Sequence, residues 1–362
     1  MITIHNISLY QYKHPFRSSV MFKGTPHSHR EGIIIKMSDK DGFIGCGEIA
    51  PLPGFSQESL KDCLLDATRI KKEILSHPLP DTWSAWTPIP SFPSVQFGFE
   101  AAYLNLLSHR SKTPPAGILN SNFHSRVYTQ ALLTGTSDDI CKKARLCHQE
   151  GYRAYKLKTQ NFKEEELIST LEKIRNIIDP KAILRLDANR EWPLTKALKI
   201  GKSISRFRID YIEEPVEDPG NIPEFYEHTG ILSALDETLI GPGCDDFIDL
   251  HGVKTFVLKP TLLGGLKATD IWIHHARQHQ KNVIISSTFE TPLGWLMCAH
   301  YAASLSWAEP GAGLDTCSFF REDVFGSDII LRKQKGPTIH IDYYMNTLAG
   351  LSPKGSQEIH HV

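Results

Sequence analysis

Five charged residues punctuate the middle of this chain, each closing a short apolar run, at intervals of roughly 20 to 30 residues, the length of one strand–helix unit. Lys158 ends Tyr155-Lys156-Leu157-Lys158 and Asp187 ends Leu184-Arg185-Leu186-Asp187. Glu213 follows Tyr211-Ile212, Asp236 follows Ser233-Ala234-Leu235, and Lys259 follows Phe256-Val257-Leu258. Three carboxylates gathered at one place repel one another and raise each other's pKa unless a cation neutralises them. Oxygen ligands without His or Cys favour a hard ion, so Asp187, Glu213 and Asp236 are the candidate ligands of Mg²⁺, with Mn²⁺ the alternative. Lys156 and Lys158 point to the same side of their strand because strand side chains alternate with period two. Two ammonium groups that close, beside a divalent cation, are expected to pull one lysine down toward neutrality and make it a usable base. A single charged residue at a strand end is ordinarily a solvated terminus. Five in consecutive units, each preceded by apolar residues, argue for a common site.

The elements that must position these groups are legible as strand–helix alternation from about Ser125. Candidate strands are Val127–Leu133, Ala154–Lys158, Ile183–Asp187, Asp210–Glu213, Leu232–Asp236, Thr255–Lys259 and Val283–Ser287. Between them lie helical stretches, the clearest over Glu164–Ile178 with Leu167, Leu171, Ile174 and Ile178 on one face. No GxGxxG follows the first strand, so an α/β fold built as a modified TIM (β/α) barrel is preferred to an open sheet. In a barrel all five charged residues converge on the carboxyl-terminal face, with Lys156 and Lys158 opposite Lys259. Prolines after Glu214 and Lys259 are expected to hold those residues extended. Residues 1–124 read as an α+β capping domain, 125–320 as the barrel, and 321–362 as a segment packing back on the cap. Within the cap, Ile33–Cys46 reads as a hairpin and Ser56 to about Leu75 as a helix whose start, Ser56-Gln57-Glu58-Ser59, offers a side-chain oxygen to cap the first amides. A proline-studded loop spans Pro78–Pro93, and Ser94 is expected to cap a helix through Phe97, Ala101, Leu104 and Leu107.

Lys plus Arg number 40 against 41 Asp plus Glu, a formal charge of −1, which argues against nucleic acid or an anionic membrane as partner. No apolar run is long enough for a membrane span, and the amino-terminal residues lack the basic-then-apolar order of a signal peptide. Seven scattered cysteines without a CxxC pair read as reduced thiols of a cytoplasmic protein. The 17 histidines form no HExxH-like ligand spacing. Gly264-Gly265 reads as a turn in preference to a phosphate cradle. Ser286 and Ser287, at the end of the seventh strand, either hold a substrate carboxylate or cap the next helix.

Taken in order, these motifs resemble the enolase superfamily, in its muconate-lactonizing-enzyme-like subgroup, and within it the o-succinylbenzoate synthases. The resemblance rests on Gly45-Cys46-Gly47-Glu48 and Phe97-Gly98-Phe99-Glu100-Ala101-Ala102 in the cap. In the barrel it rests on Lys156/Lys158, Asp187-Ala188-Asn189, Ile212-Glu213-Glu214-Pro215 and Asp236-Glu237-Thr238. It implies an enolase-like barrel, a segment Ser18–Arg30 that closes over the site, and a small-molecule carboxylate substrate. It also implies Mg²⁺-dependent dehydration of 2-succinyl-6-hydroxy-2,4-cyclohexadiene-1-carboxylate, with Lys158 as base, Lys156 tuning it and Lys259 stabilising the intermediate. Dipeptide epimerases and N-succinylamino acid racemases share the two lysines, and Asp315 in Gly313-Leu314-Asp315 keeps the epimerase alternative open. A Schiff-base aldolase using Lys259 and a non-catalytic acid-binding barrel are the more distant alternatives.

Overall fold

The computed structural model describes residues 1–160, 162–241, 244–247, 249–305, 311–326, 334–342 and 356–359. Its amino-terminal unit is built on a long antiparallel ribbon, β1 (Ile4–Phe22) and β2 (Thr25–Asp39), with β3 (Ile44–Ile49) paired to the other side of β2. β2 and β3 are the hairpin expected over Ile33–Cys46; Asp39 Oδ1 holds its turn by accepting from Asp41 N (3.0 Å) and Phe43 N (2.9 Å). Strand β1 was not anticipated. Ser18–Arg30, expected as a loop, is the outer end of the β1–β2 ribbon and turns at Lys23-Gly24, both with positive φ. Only Phe16, Val20 and Phe22 are buried in its first arm, and a register shift between Pro15 and Val20 breaks the alternation that would have marked a strand.

Helix α1 (Leu60–Ser76) begins later than expected because Ser59 and Asp62 form a reciprocal capping box, while Ser56 Oγ accepts from Leu52 N (2.8 Å). Helix α2 (Pro93–Ser111) starts on its proline, so Ser94 lies inside the first turn. There its N–H (3.0 Å) and hydroxyl (2.7 Å) both donate to Glu58 Oε1. α2 is buried on all sides and lies directly on β3. A Cβ at Gly45 or Gly47 would come within 2.0 Å of the α2 carbonyls of Ala102 and Gly98, so only glycine permits this approach. A short helix α3 (Pro115–Leu119) leads out of this unit.

The sequence region expected as one strand, Val127–Leu133, is two. β4 (Arg126–Tyr128) runs antiparallel to β13 (Thr338–His340), itself paired with β12 (Gln334–Lys335), and only β5 (Ala131–Leu133) enters the barrel. From there the chain alternates: α4 (Ser137–Gln149), β6 (Ala154–Lys158), α5 (Glu164–Ile177), β7 (Ile183–Asp187), α6 (Leu194–Ile204), β8 (Ile212–Glu213) and α7 (Ile222–Thr229). It continues through β9 (Ser233–Leu235), β10 (Val253–Leu258), α8 (Pro260–Leu263), α9 (Gly265–Gln278), β11 (Asn282–Ile285) and α10 (Pro292–Ser304). Strands β5 to β11 pair in parallel in chain order. Residues 312–313 close the ring: Gly313 N donates to Ile285 O (2.9 Å) and Gln130 N donates to Ala312 O (3.0 Å). Tyr211, Ala234, Val257 and Ile284 fill the barrel interior as an apolar floor. Of the carboxyl-terminal segment, β14 (Gln357–Glu358) pairs with β1; 327–333, 343–355 and 360–362 lie outside the described residues.

Two glutamates of the amino-terminal unit dock it onto the barrel. Glu48 of β3 accepts from Thr291 N (2.9 Å), Thr291 Oγ1 (2.6 Å) and Gly294 N (2.9 Å) at the start of α10, and from the Tyr12 hydroxyl. Glu100 of α2 accepts from Leu266 N (2.5 Å) and Lys267 N (3.1 Å) at the start of α9. Each meets the unpaired amides and positive end of a barrel helix. Gly265, with φ of +92°, belongs to this contact: a Cβ there would stand 2.5 Å from Glu100 Oε2. The Gly264-Gly265 pair is therefore a kink between α8 and α9 that admits a carboxylate.

Burial pushes the Glu100 carboxyl from its ordinary 4.5 up to about 7, against the pull of the two amides and Gln96. The folded chain thus holds this proton more tightly than the unfolded one, and the site's contribution to stability falls as pH rises from 4.5 to about 7. Glu100→Gln removes the titration. Denaturant unfolding should show the variant gaining on the wild type by roughly 3 kcal/mol across that window. A difference independent of pH would refute the assignment.

Candidate active site

The strand ends at one mouth of the barrel carry the charged set in register. Lys158 lies opposite Asp187 and Asp187 opposite Glu213; Asp236, Lys259 and Ser286 are the residues immediately after β9, β10 and β11. Lys156 Nζ stands 2.9 Å from Asp187 Oδ2 and 2.6 Å from Glu213 Oε1, bridging the two acids. Lys158 Nζ is 2.6 Å from Asp187 Oδ2 and donates to Asn189 Oδ1 (2.9 Å). Lys259 Nζ donates to Asp236 Oδ2. The structure therefore brings together all six of the predicted lysines and acids, with Lys156 and Lys158 on one flank and Lys259 on the other. Lys158 is the most open of the three amines, its side chain 29% exposed against 9% for Lys156 and 15% for Lys259.

Burial would push the Asp187 carboxyl up, but the Lys156 and Lys158 charges outweigh it and hold it well below the usual carboxylate range. Glu213 is pushed well up by burial and by the Asp187 charge, with Lys156 only partly compensating. Burial would lower Lys156, yet Asp187 and Glu213 hold it well above its ordinary value; Lys259 is held up in the same way by Asp236 and Glu237. Neither Lys156 nor Lys259 is pulled toward neutrality by its neighbours, because the acids beside them outweigh burial and ammonium repulsion.

Among the described residues no three acid, imidazole or thiolate side chains enclose an ion by themselves, because the ammonium groups are interleaved with the carboxylates. The donor set nonetheless suits a hard cation. Glu213 Oε2, Asp236 Oδ1 and Glu237 Oε2 are buried carboxylate oxygens without a hydrogen-bond partner, a costly arrangement unless a cation meets them.

Sequence reasoning passed over three groups here. Asn189, two residues after Asp187, and Glu237, beside Asp236, are joined by Asn189 Nδ2 donating to Glu237 Oε1 (2.8 Å). Glu214, buried and raised to about 7 chiefly by burial, accepts from Asp236 N (2.7 Å), Thr238 N (2.8 Å) and Thr238 Oγ1 (2.7 Å), holding the loop that carries Asp236. Their signal was adjacency to the acids within the quoted motifs. Glu214 also has φ of +47° despite the following proline, so it is left-handed and not extended as expected; its anchored carboxylate and the Arg190 N–H on its carbonyl (3.0 Å) hold it there. Lys259 is extended. Ser286 and Ser287 sit at the mouth as predicted from their position, their hydroxyls turned to Gly313 O (3.2 and 3.3 Å), with Ser287 also bonded to Thr316. Asp315 is engaged elsewhere: it accepts from Leu132 N (2.9 Å) and Lys143 Nζ (2.9 Å).

Residues 139–334 match the family described as Enolase C-terminal domain-like, and residues 4–106 match MenC, N-terminal domain. An o-succinylbenzoate synthase of Vibrio cholerae serotype O1 (strain M66-2) is 34% identical over 329 residues, covering 88% of this chain and 91% of that protein. The chain belongs to the o-succinylbenzoate synthase family of the enolase superfamily. Another family member, from Pasteurella multocida (strain Pm70), is 30% identical over 87% of this chain and 90% of its own. Among solved structures, muconate lactonizing enzyme from Pseudomonas fluorescens superposes with a TM-score of 0.82 at 17% identity, covering 98% of this chain and 97% of that one. A dipeptide epimerase from Cytophaga hutchinsonii, solved with Mg and D-Ala-L-Val, gives 0.81 at 18%, covering 99% of both. Both likenesses establish the family's barrel-and-cap fold.

Lys156 is the structural keystone of the mouth. Lys156→Met leaves Asp187 and Glu213 buried without their shared ammonium and should cost the metal-free protein about 3–5 kcal/mol of unfolding free energy. Denaturant titration checks this, and a loss below about 1 kcal/mol would show the bridge to be dispensable.

Proposed function

We propose that this chain is a hydro-lyase that removes water from 2-succinyl-6-hydroxy-2,4-cyclohexadiene-1-carboxylate to form 2-succinylbenzoate in menaquinone biosynthesis. What supports the reading is an acidic trio between opposed amines at the mouth of a barrel, in a chain of the o-succinylbenzoate synthase family. Asp187, Glu213 and Asp236 would hold Mg²⁺, which when bound neutralises charge developing on the substrate carboxylate.

The chain's own groups would do the rest. Lys158, the most open amine, takes the proton next to the substrate carboxylate and delivers it to the departing hydroxyl on the same face. Lys156, locked between Asp187 and Glu213, stays an ammonium and orients the acids. Lys259 stays protonated against Asp236 and stabilises the anionic intermediate from the other face. Ser286 and Ser287 stand at the end of β11, and their hydroxyls would meet the substrate's second carboxylate by turning away from Gly313 O. A Schiff-base aldolase needs a neutral lysine, and the raised Lys259 is a poor nucleophile. An epimerase would need a free acid after the eighth strand, whereas Asp315 is committed to Lys143 and Leu132 N. We place the cap at 1–124, the barrel at 125–320 and the protein in the cytoplasm. Among the described residues, Cys46, Cys63, Cys141, Cys147, Cys298 and Cys317 are free and buried, which accords with a reducing compartment. Among the described residues no helix is long and apolar enough to cross a membrane.

Absorbance-monitored dehydration should proceed with Mg²⁺ and stop with EDTA. Lys158→Ala should lower kcat by about 1,000-fold or more while Mg²⁺ still raises the melting temperature. Dipeptide epimerisation in place of dehydration would overturn the assignment, and turnover by Lys158→Ala would remove that residue from its role.

A further inference from the structure

The geometry points to Asn189 and Glu237 as positioning residues that aim the Lys158 amine, a role that rests on the dehydratase reading above and deepens it. Three side chains form a line: Lys158 Nζ donates to Asn189 Oδ1 at 2.9 Å, and Asn189 Nδ2 donates to Glu237 Oε1 at 2.8 Å. The polarity of the line has one solution. An ammonium only donates and a carboxylate only accepts, so the amide between them must turn its oxygen to Lys158 and its nitrogen to Glu237.

The backbone is arranged for this contact. Asn189 has φ of +47°, a conformation that asparagine tolerates and branched residues do not, and its N–H donates to Asp187 Oδ1 (3.1 Å). Arg190, also left-handed, donates its N–H to Glu214 O (3.0 Å), which ties the same turn to the end of β8. Asn189 is thus fixed from both sides before its side chain reaches Lys158. Glu237 in turn follows Asp236 in the short loop that Glu214 holds. An amide suits the middle position for an electrostatic reason as well. A carboxylate there would face Glu237 and stand beside Asp187, with no donor left to join them, whereas the amide links a cation to an anion without adding charge.

Lys158 has two holds of different kind. Asp187 Oδ2 holds it as an ion pair at 2.6 Å, and Asn189 Oδ1 holds it from a second direction at 2.9 Å, so that the two together fix where the amine points. Loss of the second hold leaves the amine near the site but misaimed, and misplacement of a reacting group by about 1 Å costs on the order of 100-fold in rate.

Asn189→Gly keeps the left-handed backbone and removes the amide. It should lower kcat about 100-fold, leave KM and the Mg²⁺ midpoint within about threefold, and raise the primary deuterium isotope effect as proton transfer becomes limiting. Glu237→Ala should show the same fall in kcat and rise in isotope effect, with the Mg²⁺ midpoint compared only for Asn189→Gly because Glu237 Oε2 itself faces the cation site. Glu237→Gln should recover at least about tenfold of the kcat loss, and the double variant Asn189→Gly/Glu237→Ala should be no worse than the poorer single variant. A readout independent of turnover is the rate at which trinitrobenzenesulfonate labels Lys158 in metal-free protein, followed by peptide mapping, which should rise several-fold in Asn189→Gly. A kcat within about threefold of wild type, a Mg²⁺ midpoint of Asn189→Gly shifting in parallel with its kcat, equal losses for the Glu237→Ala and Glu237→Gln variants, or an unchanged labelling rate would each overturn the inference. A wild-type protein that fails to dehydrate the cyclohexadiene sinks the reading of function instead, and the labelling rate then decides the Asn189 contact alone.

Discussion

Four carboxylates, those of Asp187, Glu213, Asp236 and Glu237, meet at one end of the barrel and are largely removed from water, and their mutual repulsion is the constraint under which the rest of the site is built. Three lysines answer it by interleaving. Lys156 stands between two acids, Lys158 reaches from the same strand to Asp187, and Lys259 reaches from the far flank to Asp236. The compensation is incomplete, since buried oxygens of Glu213, Asp236 and Glu237 have no donor. A fold that carries such a deficit is less stable than one without it, and a cation-dependent function is a physical reason to keep it.

The same use of buried carboxylates recurs where the two units meet, with a different compensating partner. Glu48 and Glu100 are met by backbone amides at the starts of α10 and α9, in place of ammonium groups. Those two helices follow β11 and β10, the strands that lead to Ser286 and Lys259. The cap therefore grips the part of the barrel that carries one flank of the site. Arg30 adds to the grip: buried in β2, it donates Nε to Phe289 O (2.9 Å) just beyond Ser287, and its Nη groups donate to the carbonyls of Ala50, Pro51 and Glu31. Phe16 and Phe22 of the ribbon pack edge-on against Phe289, which extends the contact to the outer arm of the cap.

The barrel was legible in the sequence because its strands are short apolar runs ending in charge, a pattern that survives without knowledge of what packs outside. Alternation, in contrast, is a poor guide where a strand is irregular. β1 escaped notice because a register shift between Pro15 and Val20 breaks its period and polar residues dominate its outer arm. Val127–Leu133 read as one strand because its composition is uniform, while the pairing partners of its two halves, Thr338–His340 and the barrel, lie far away in the chain. The stretch Ser56-Gln57-Glu58-Ser59 offers two serines at the start of α1, and which of them caps depends on Asp62 answering Ser59.

Residue type and spacing alone determined that three acids and two lysines would stand at five consecutive strand ends, with Lys156 on the same side of its strand as Lys158, because a parallel barrel turns each repeat along the chain into a step around one mouth. Tertiary structure alone decided which amine neutralises which acid, that Lys156 is locked while Lys158 is open, and that Asn189 joins Lys158 to Glu237. It also decided that Asp315 is spent on Lys143. These outcomes depend on distances of a few ångströms between elements remote in sequence, and electrostatic energies at such range change too steeply for spacing along the chain to specify them.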